Sequence, residues 1–418
     1  MKNVKNVVKS RCCTSCGLCF PCFDKIINRN GVVIPDAKRI KKDFDMRWCP
    51  GTGYDIKRMA YSGYDSKESI ELGSYLGLYA FSSDSERITR NAASAGAMTT
   101  LAATLLTQKI VDGVIVSEIV NENGCLRSRT FVASSQEQLY PAQGSKYMPV
   151  PALDNIDALL EDGKKYAYIG TPCQIAGIKK RGELDSAFKE KIVFCIGNFC
   201  GGYRDTKERA AIFKMLGVKE ADVTDFAYRR GRQPGYMLIK TKSGEEWHLS
   251  YPKYSKLTGF PVVRRCRLCV DSTAELADIS CGDGWIERFM KTGRPWSFII
   301  LRTPAAVKLF EAVRNIPGTH IEDISEAEVI ESQKGNITSK KYRQAARYKL
   351  YSRLGCKLPD FDGGYRTEAA SVKKEAKVLL AHSFFLLLQK LGLYLKVARF
   401  LGRTKQCKIE KINTDKAV

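Results

Sequence analysis

The residues of this 418-residue chain best suited to chemistry are cysteines, and they are bunched. Cys266 and Cys269 form a Cys-x-x-Cys loop, and Cys281 follows at the end of a short apolar run. Thiolates bind metals, and two of them on one loop lose little additional entropy when they close around an ion or cluster. The stretch from Cys266 to Cys281 therefore predicts a metal site.

A second set lies in the N-terminal loop, where Cys13, Cys16 and Cys19 follow one another at three-residue intervals. Three such sulfurs on one loop suit three corners of a [4Fe–4S] cluster, and ferredoxin-type sites add a cysteine before a proline. Cys22 comes one residue too early, so Cys49, which precedes a proline, is the expected fourth ligand. Zinc more often takes two separated pairs, and no histidine is close in sequence to either set. The pattern favours iron–sulfur, with zinc as the alternative.

The distribution of the fifteen cysteines indicates a reducing compartment, because they are bunched and no apolar secretory segment follows Met1. This combination is typical of metal or redox use in the cytoplasm rather than of a disulfide framework. The ligand set stays open at four positions. Cys195 lies in an apolar run, Cys200 lies beside glycines, and Cys12 and Cys22 flank the N-terminal ligands.

The chain is strongly basic, with 68 lysines and arginines, 45 acidic residues and a formal net charge of +23. Such an excess suits nucleic acid, an acidic protein, an anionic cofactor or a membrane surface. The basic residues are spread along the chain, without a helix-turn-helix, zinc-finger or RNA-recognition motif. We therefore expect no nucleic-acid partner. We expect instead an acidic, ferredoxin-like protein as the electron donor.

Alternating strand and helix patterns begin near residue 74 and predict an α/β domain. A small-residue turn at 91–96 opens a helix, with Ser94 near its N-cap. Backbone N–H groups at such a turn can hold a phosphate, or the small residues can simply let a helix and a strand approach closely. A loop with Ser145 and Lys146 adds a hydroxyl and a cation.

A further strand-to-helix junction carries a cysteine. The strand at 165–169 leads through Gly170-Thr-Pro-Cys-Gln into a helix, where open α/β sheets place ligands. Pro172 suits a helix start, because its missing N–H costs nothing there. We expect the helix dipole to lower the pKa of the Cys173 thiol. Cys173 is a cofactor or substrate contact, a redox thiol or a small buried hydrophobe.

The rest of the chain predicts a hairpin turning at Gly244 and a basic tail. Arg229, Arg230 and Arg232 either meet a phosphate or form a solvated edge. The apolar run at 378–388 is too short to span a bilayer. This basic helix therefore lies on a membrane surface, against a partner or on its own domain.

Together these motifs resemble those of the beta-subunit family of deazaflavin (coenzyme F420)-reducing hydrogenases and dehydrogenases, which also includes a plant chlorophyll-cycle reductase. The usual Ser-Gly-Gly turn of the family has Ala95 at its centre here. The matching stretches occur in the family's order and are Cys13-Thr-Ser-Cys-Gly-Leu-Cys19, Cys49-Pro-Gly51, Ser94-Ala-Gly96, Gly144-Ser-Lys-Tyr147, Gly170-Thr-Pro-Cys-Gln-Ile-Ala-Gly177, Arg265-Cys-Arg-Leu-Cys269 and Ala277-Asp-Ile-Ser-Cys-Gly-Asp283.

The resemblance implies a protein that contains FAD and two [4Fe–4S] clusters and passes electrons between the clusters and a two-electron acceptor. It implies catalytic roles for Cys173 and Lys146. It implies a flavin pocket formed by Ser94, Gly96, Ser145, Lys146, Thr171, Pro172, Cys173 and Gln174. The cluster ligands expected are Cys13, Cys16, Cys19 and Cys49 for the first cluster, and Cys266, Cys269, Cys281 and Cys200 for the second.

We therefore expect an α/β flavin-binding domain with an N-terminal ferredoxin-like iron–sulfur loop region and a helical basic C-terminal tail. The expected regions are an iron–sulfur region (1–70), an N-terminal-type α/β region (71–160), an FAD and second-cluster region (161–338) and the tail (339–418). The acceptor is a small molecule or a glycan precursor, and assembly into homo-oligomers is left open. The expected location is the cytoplasm, with or without contact at the inner face of the membrane. The alternatives are an electron-input subunit of a larger redox complex and a non-enzymatic scaffold stabilised by zinc.

Overall fold

A computed structural model describes residues 1–29, 32–204, 206–368, 370–400 and 407–413. The strands are β1 (Ile26–Arg29), β2 (Val32–Pro35), β3 (Lys67–Ser69), β4 (Gly73–Tyr75), β5 (Gly77–Ser83), β6 (Gly113–Glu122), β7 (Cys125–Ala133), β8 (Tyr166–Gly170), β9 (Ile192–Asn198), β10 (Val223–Arg230), β11 (Tyr236–Thr241), β12 (Glu245–Ser250), β13 (Ile279–Asp283), β14 (Ser297–Leu301), β15 (Thr319–Asp323) and β16 (Ile409–Asn413). The α-helices are α1 (Val4–Lys9), α2 (Ile56–Met59), α3 (Glu86–Thr89), α4 (Ala97–Thr107), α5 (Gln136–Leu139), α6 (Pro172–Gly182), α7 (Ser186–Lys191), α8 (Lys207–Leu216), α9 (Ser255–Thr258), α10 (Arg264–Arg267), α11 (Glu287–Met290), α12 (Pro304–Arg314), α13 (Glu326–Ser332), α14 (Lys334–Ile337), α15 (Gln344–Arg353), α16 (Val372–Lys390) and α17 (Tyr394–Phe400).

The largest sheet in the described part of the chain has eight strands in the order β15-β5-β14-β13-β9-β8-β6-β7. The central strands β13, β9, β8 and β6 run parallel, and the outer strands pair antiparallel. Helices α4 and α12 cover one face, and α6 and α7 cover the other. Parallel strands are normally buried on both faces in this way. The predicted α/β class is confirmed, with a mixed sheet.

A smaller antiparallel sheet is formed by β10, β11, β12 and β16. The predicted hairpin is its β11–β12 pair, in which Met237 faces Leu249. Strand β16 pairs with β12 through Ile409, opposite the same Leu249. The predicted helical tail thus also contains a strand, whose residues provide backbone partners for what would otherwise be an open sheet edge.

Helix α16 is the longest described helix of the tail and leaves several apolar side chains on the surface. Leu380 is 70% exposed and Leu387 is 51% exposed. On its inner side Leu388 is buried, and the Gln389 side-chain amide donates to the carbonyl of Thr258. The helix thus rests on its own domain with one apolar side outward. Within the described ranges, no helix has the length and apolar character needed to cross a membrane.

The N-terminal cysteine loop is held against the central domain by backbone contacts. The Leu153 N–H donates to the Cys16 carbonyl at 2.7 Å, and Lys180 Nζ donates to the Cys49 carbonyl at 3.0 Å. Gly17 has φ +94°, and a Cβ there would lie 2.5 Å from a backbone nitrogen of the facing segment. Glycine lets the loop approach this closely because it has no side chain and tolerates positive φ.

Candidate functional site

The candidate site lies at the carboxyl ends of the parallel strands of the central sheet. Cys173 follows β8 and Cys200 follows β9. Open α/β sheets bind ligands at this edge, and a cavity of about 310 Å³ opens here. The cavity is lined by the whole predicted flavin set, Ser94, Gly96, Ser145, Lys146, Thr171, Pro172, Cys173 and Gln174. The fold therefore brings these residues together from separate parts of the chain.

The turn before α4 forms one wall of the cavity. Gly96 caps the helix at φ +83°, and a Cβ there would lie 2.2 Å from the Ile88 Cγ2 atom. Ser94 lies two residues before this cap, near the helix start as predicted. Its hydroxyl donates to the Trp296 carbonyl at 2.6 Å, which ties the turn to the start of β14. Within the described structure no side chain caps α4, so its first N–H groups are available to an anion.

Lys146 provides a cation in the same cavity. Its Nζ donates to the carbonyls of Ala142 and Gly144, the latter at 3.0 Å. Burial lowers the pKa of Lys146 to about 8, and the carboxylate of Glu118 offsets part of that fall. The ammonium is therefore charged at neutral pH and can balance negative charge on a ligand.

The start of α6 is organised by Gln174. Its Oε1 accepts from the Thr171 N–H at 2.8 Å and hydroxyl at 2.9 Å, and its Nε2 donates to the Val150 carbonyl at 2.8 Å. Cys173 Sγ lies 3.4 Å from the Thr171 hydroxyl. Burial raises the pKa of Cys173, while Thr171 and the Arg265 charge lower it by less. The expected lowering by the helix dipole is wrong, because desolvation outweighs it here.

Four thiols form a group at this cavity, Cys173, Cys200, Cys266 and Cys269. Burial raises the pKa of Cys266 to about 12, and the charges of Cys200 and Cys269 contribute to the rise. Burial is the main cause of the raised pKa of Cys173, and the charges of Cys200 and Cys269 raise it further. Gly202 permits the close approach, since a Cβ there would lie 2.7 Å from the Cys266 Cβ. We call this set the second cysteine group.

Cys281 also lines the cavity, but it belongs to the apolar core. It lies on β13 and packs in the cluster that includes Ala95 and Leu101. Burial raises the pKa of Cys281 without a contribution from another cysteine. The structure therefore gathers three of the four predicted second-cluster ligands and adds Cys173 to them. The role of Cys281 as a ligand stays a prediction.

The N-terminal loop gathers a first cysteine group, Cys13, Cys16, Cys19 and Cys49. Burial raises the pKa of Cys19, and the charges of Cys13, Cys16 and Cys49 raise it further. No three cysteine, histidine or acidic side chains among the described residues are placed to hold a single metal ion. The role of both groups as cluster ligands stays a prediction, supported by their thiol chemistry, their order and their mutual electrostatic influence.

Three cysteines left open by the sequence have other contacts. The Cys12 thiol donates to the Ser10 carbonyl at 3.4 Å, and the Cys22 thiol donates to the Asp43 carbonyl at 3.8 Å. Cys195 is 1% exposed in the apolar core beneath α6. These contacts set Cys12 and Cys195 apart from the two cysteine groups, whereas the charge of Cys22 also raises the pKa of Cys19.

Buried polar atoms between the two groups support a polar occupant. The hydroxyls of Tyr54 and Tyr168 and two N–H groups of Arg265 have no hydrogen-bond partner in the part of the chain described. Burial is the main cause of the raised pKa values of both tyrosines, and both lie close enough to Cys173 for its charge to raise them further. A buried donor without an acceptor costs about 1–3 kcal/mol. The sulfur atoms of iron–sulfur clusters would accept from such donors, so the residues present fit these groups.

Lys340 is a site residue that sequence reasoning missed. It lies on a π-helical turn (Thr338–Tyr342) beyond the last recognised motif, and its Nζ donates to the Asp271 carbonyl at 2.7 Å. Burial alone lowers the pKa of Lys340, but the charges of Cys269, Cys200 and Cys266 raise it overall. No local sequence pattern identifies this lysine as a site residue. The structural signal is the π-helical turn, a feature that is frequent at functional sites.

Arg229 does not form a solvated edge, and its alternative role of meeting a phosphate stays a prediction. It is 1% exposed, and its Nη1 donates to Asp283 Oδ2 at 2.7 Å. Its guanidinium carbon lies 4.6 Å from the Tyr251 ring centre and 4.9 Å from that of Trp285. Arg229 therefore joins the small sheet to the end of β13 beside the cavity.

Comparison with known proteins agrees with the fold and the motifs. The family model for the C terminus of the coenzyme F420 hydrogenase/dehydrogenase beta subunit matches residues 163–327, and the model for the N-terminal part matches residues 78–157. The coenzyme F420 hydrogenase subunit beta of Methanococcus voltae is 31% identical over 225 residues, covering 48% of this chain and 72% of that protein. This chain belongs to the coenzyme F420 hydrogenase/dehydrogenase beta-subunit family, whose curated members include hydrogenase and formate dehydrogenase subunits.

Two further relatives show how far the similarity extends. The coenzyme F420-dependent sulfite reductase of Methanocaldococcus jannaschii is 27% identical over 345 residues, which cover 77% of this chain and 49% of that protein. A chain in a structure of the F420-reducing [NiFe] hydrogenase complex from Methanosarcina barkeri has a TM-score of 0.52 and 20% identity. That match covers 73% of this chain and all of the other, and it shows a shared fold.

Proposed function

We propose that this protein is an iron–sulfur flavoprotein oxidoreductase that passes electrons from a ferredoxin-like donor, through two [4Fe–4S] clusters and FAD, to a two-electron acceptor. Clusters supply one-electron chemistry and the flavin supplies two-electron chemistry. One observation carries the proposal: the second cysteine group lines the same cavity as the predicted flavin residues. Membership of a family of redox-enzyme subunits supports it.

The proposed ligands are the two cysteine groups. Cys13, Cys16, Cys19 and Cys49 hold the first cluster, as predicted. For the second we propose Cys173 together with Cys200, Cys266 and Cys269, in place of Cys281. The reason is electrostatic proximity, because the charges of Cys200 and Cys269 act on Cys173, whereas no cysteine acts on Cys281.

The proposed flavin contacts follow from the cavity walls. The uncapped first turn of α4, beginning at Gly96, presents N–H groups to a phosphate, and Lys146 provides a positive charge opposite anionic groups. Gln174 fixes the backbone of Thr171 and so orients the loop that leads to Cys173. Ser145 lines the same wall and offers a hydroxyl. The acceptor is a small molecule or a glycan precursor that reaches the open side of this cavity.

The ligand assignment is tested by replacing single cysteines and counting clusters. We expect Cys173→Ser to remove about half of the iron and one electron paramagnetic resonance (EPR) signal, while Cys281→Ser keeps both clusters. Cys125→Ser is the control, because Cys125 is exposed at the start of β7. Loss of one cluster in Cys281→Ser with both kept in Cys173→Ser would overturn the revised ligand set.

The order of electron transfer is tested separately. We expect Cys266→Ser to abolish flavin reduction by reduced ferredoxin, while dithionite still reduces the flavin directly. Donor-driven flavin reduction at the wild-type rate in this variant would contradict the proposed route.

A narrower role as the electron-input subunit of a larger complex is favoured by the relatives. The Methanococcus voltae protein is a subunit, and the solved relative belongs to a hydrogenase complex. The net charge of +23 would suit an acidic donor or partner. Activity of the isolated chain with small two-electron acceptors distinguishes the two roles. Turnover with reduced ferredoxin supports a complete enzyme, and flavin reduction without turnover supports the input subunit.

A further inference from the structure

Arg265 is a buried cation located between the two cysteine groups. Its side chain is 4% exposed, and its Nη2 donates to the Pro50 carbonyl at 3.0 Å. Pro50 adjoins Cys49 of the first group, and Arg265 adjoins Cys266 of the second. A single guanidinium therefore links the loops that carry ligands of both groups.

Thiols of both groups are influenced by this charge. Burial raises the pKa of Cys13 and Cys16 in the first group and of Cys173 in the second, and the Arg265 charge offsets part of each rise. Conversely, burial lowers the pKa of Arg265, but Cys269 and Cys173 raise it overall. Arginine is therefore charged here at any working pH.

Two donor atoms of Arg265 are left without an acceptor in the described part of the chain. Its Nε and Nη1 are buried without a hydrogen-bond partner among the described residues. The Phe361 ring lies on one side, with its centre 5.4 Å from the guanidinium carbon. A buried charge with unused donors is costly unless an anion accepts from it. Thiolate and sulfide atoms of iron–sulfur clusters are such acceptors, and hydrogen bonds and nearby charge set cluster potentials.

We propose that Arg265 is a shared positioning residue for both clusters, donating hydrogen bonds to their sulfur atoms and raising the reduction potential of each. This inference rests on the proposed function. A fixed positive charge stabilises the reduced, more negative form of each cluster. Because one guanidinium serves both sites, its removal shifts the two potentials together and in the same direction.

The test is an EPR-monitored redox titration of the anaerobically purified full chain. We expect Arg265→Gln to lower the one-electron reduction equilibrium constant of both clusters at least tenfold, which corresponds to 59 mV. Arg265→Lys retains the positive charge but loses the several N–H donors of the guanidinium group. We therefore expect it to shift the two reduction potentials less than Arg265→Gln does. The control is Arg47→Gln, because Arg47 lies two residues before Cys49, with a side chain that is 71% exposed. Unchanged potentials in Arg265→Gln, or a shift of one cluster alone, would overturn the proposal.

If the Arg265 variants fail to assemble their clusters, a measurement on the wild-type protein still tests the proposal. With arginine labelled with ¹⁵N in the guanidinium group, pulsed EPR should detect ¹⁵N coupling to both reduced clusters. Coupling to neither cluster, or to only one, contradicts a shared role. Wild-type protein without iron would overturn the proposed function as well, whereas two clusters with no ¹⁵N coupling would reject the role of Arg265 alone.

Discussion

Gly17→Ala tests whether the first cysteine loop depends on its close contact with the central domain. The new Cβ would lie 2.5 Å from Asp154 N and 2.9 Å from the Pro151 carbonyl oxygen, and neither backbone atom can rotate away. Overpacking of this kind destabilises the docked loop by about 1–3 kcal/mol. Since 1.4 kcal/mol is a factor of ten, we expect the undocked population to rise about fivefold to a hundredfold.

The assay is the rate at which iron passes to a chelator from anaerobic protein. Gly163→Ala is the matched control, because Gly163 also has positive φ, at +74°, but nothing lies within 4 Å of its Cβ position. Both variants carry the left-handed backbone cost of about 1–2 kcal/mol, so their difference reports the contact alone. Equal rates of iron release from the two variants would refute the reasoning.

Three further predictions concern the cavity and the core. Gly96→Ala should lower FAD content well below that of the control Gly163→Ala, because the new Cβ at position 96 meets the Ile88 methyl group beside the α4 turn. Equal flavin content in the two variants would contradict this. Lys341→Met should lower the free energy of unfolding in urea by about 3 kcal/mol or more, because Glu275 stays buried without its ion-pair partner. Adding Glu275→Gln to this variant should recover most of the loss. A Lys341→Met variant as stable as wild type would contradict this. Since the pKa of Lys146 is about 8, its charge is lost as pH rises through that value, so FAD affinity should fall between pH 7 and 9, and Lys146→Met should remove this dependence.

Much of the fold can be predicted from local pattern. The strand at β8, the proline-started helix α6 and the turn before α4 all follow from apolar runs bounded by small residues. Because parallel strands share a carboxyl edge, the predicted flavin residues could also be expected to meet there.

The errors arise where long-range packing decides the outcome. The pKa of Cys173 depends on how deeply the finished fold buries it, which the local sequence does not show. Strand β16 pairs with β12 across more than 150 residues, so its own sequence shows no partner. Lys340 reaches the second cysteine group from beyond the last motif, on a π-helical turn that side-chain periodicity does not predict.

The most direct test of the proposed redox function is a count of cofactors in protein purified without oxygen. We expect about eight iron and eight sulfide with one FAD per chain, together with the visible absorption of clusters and flavin. A colourless protein that contains zinc and no flavin would contradict this function and would favour a zinc-stabilised scaffold.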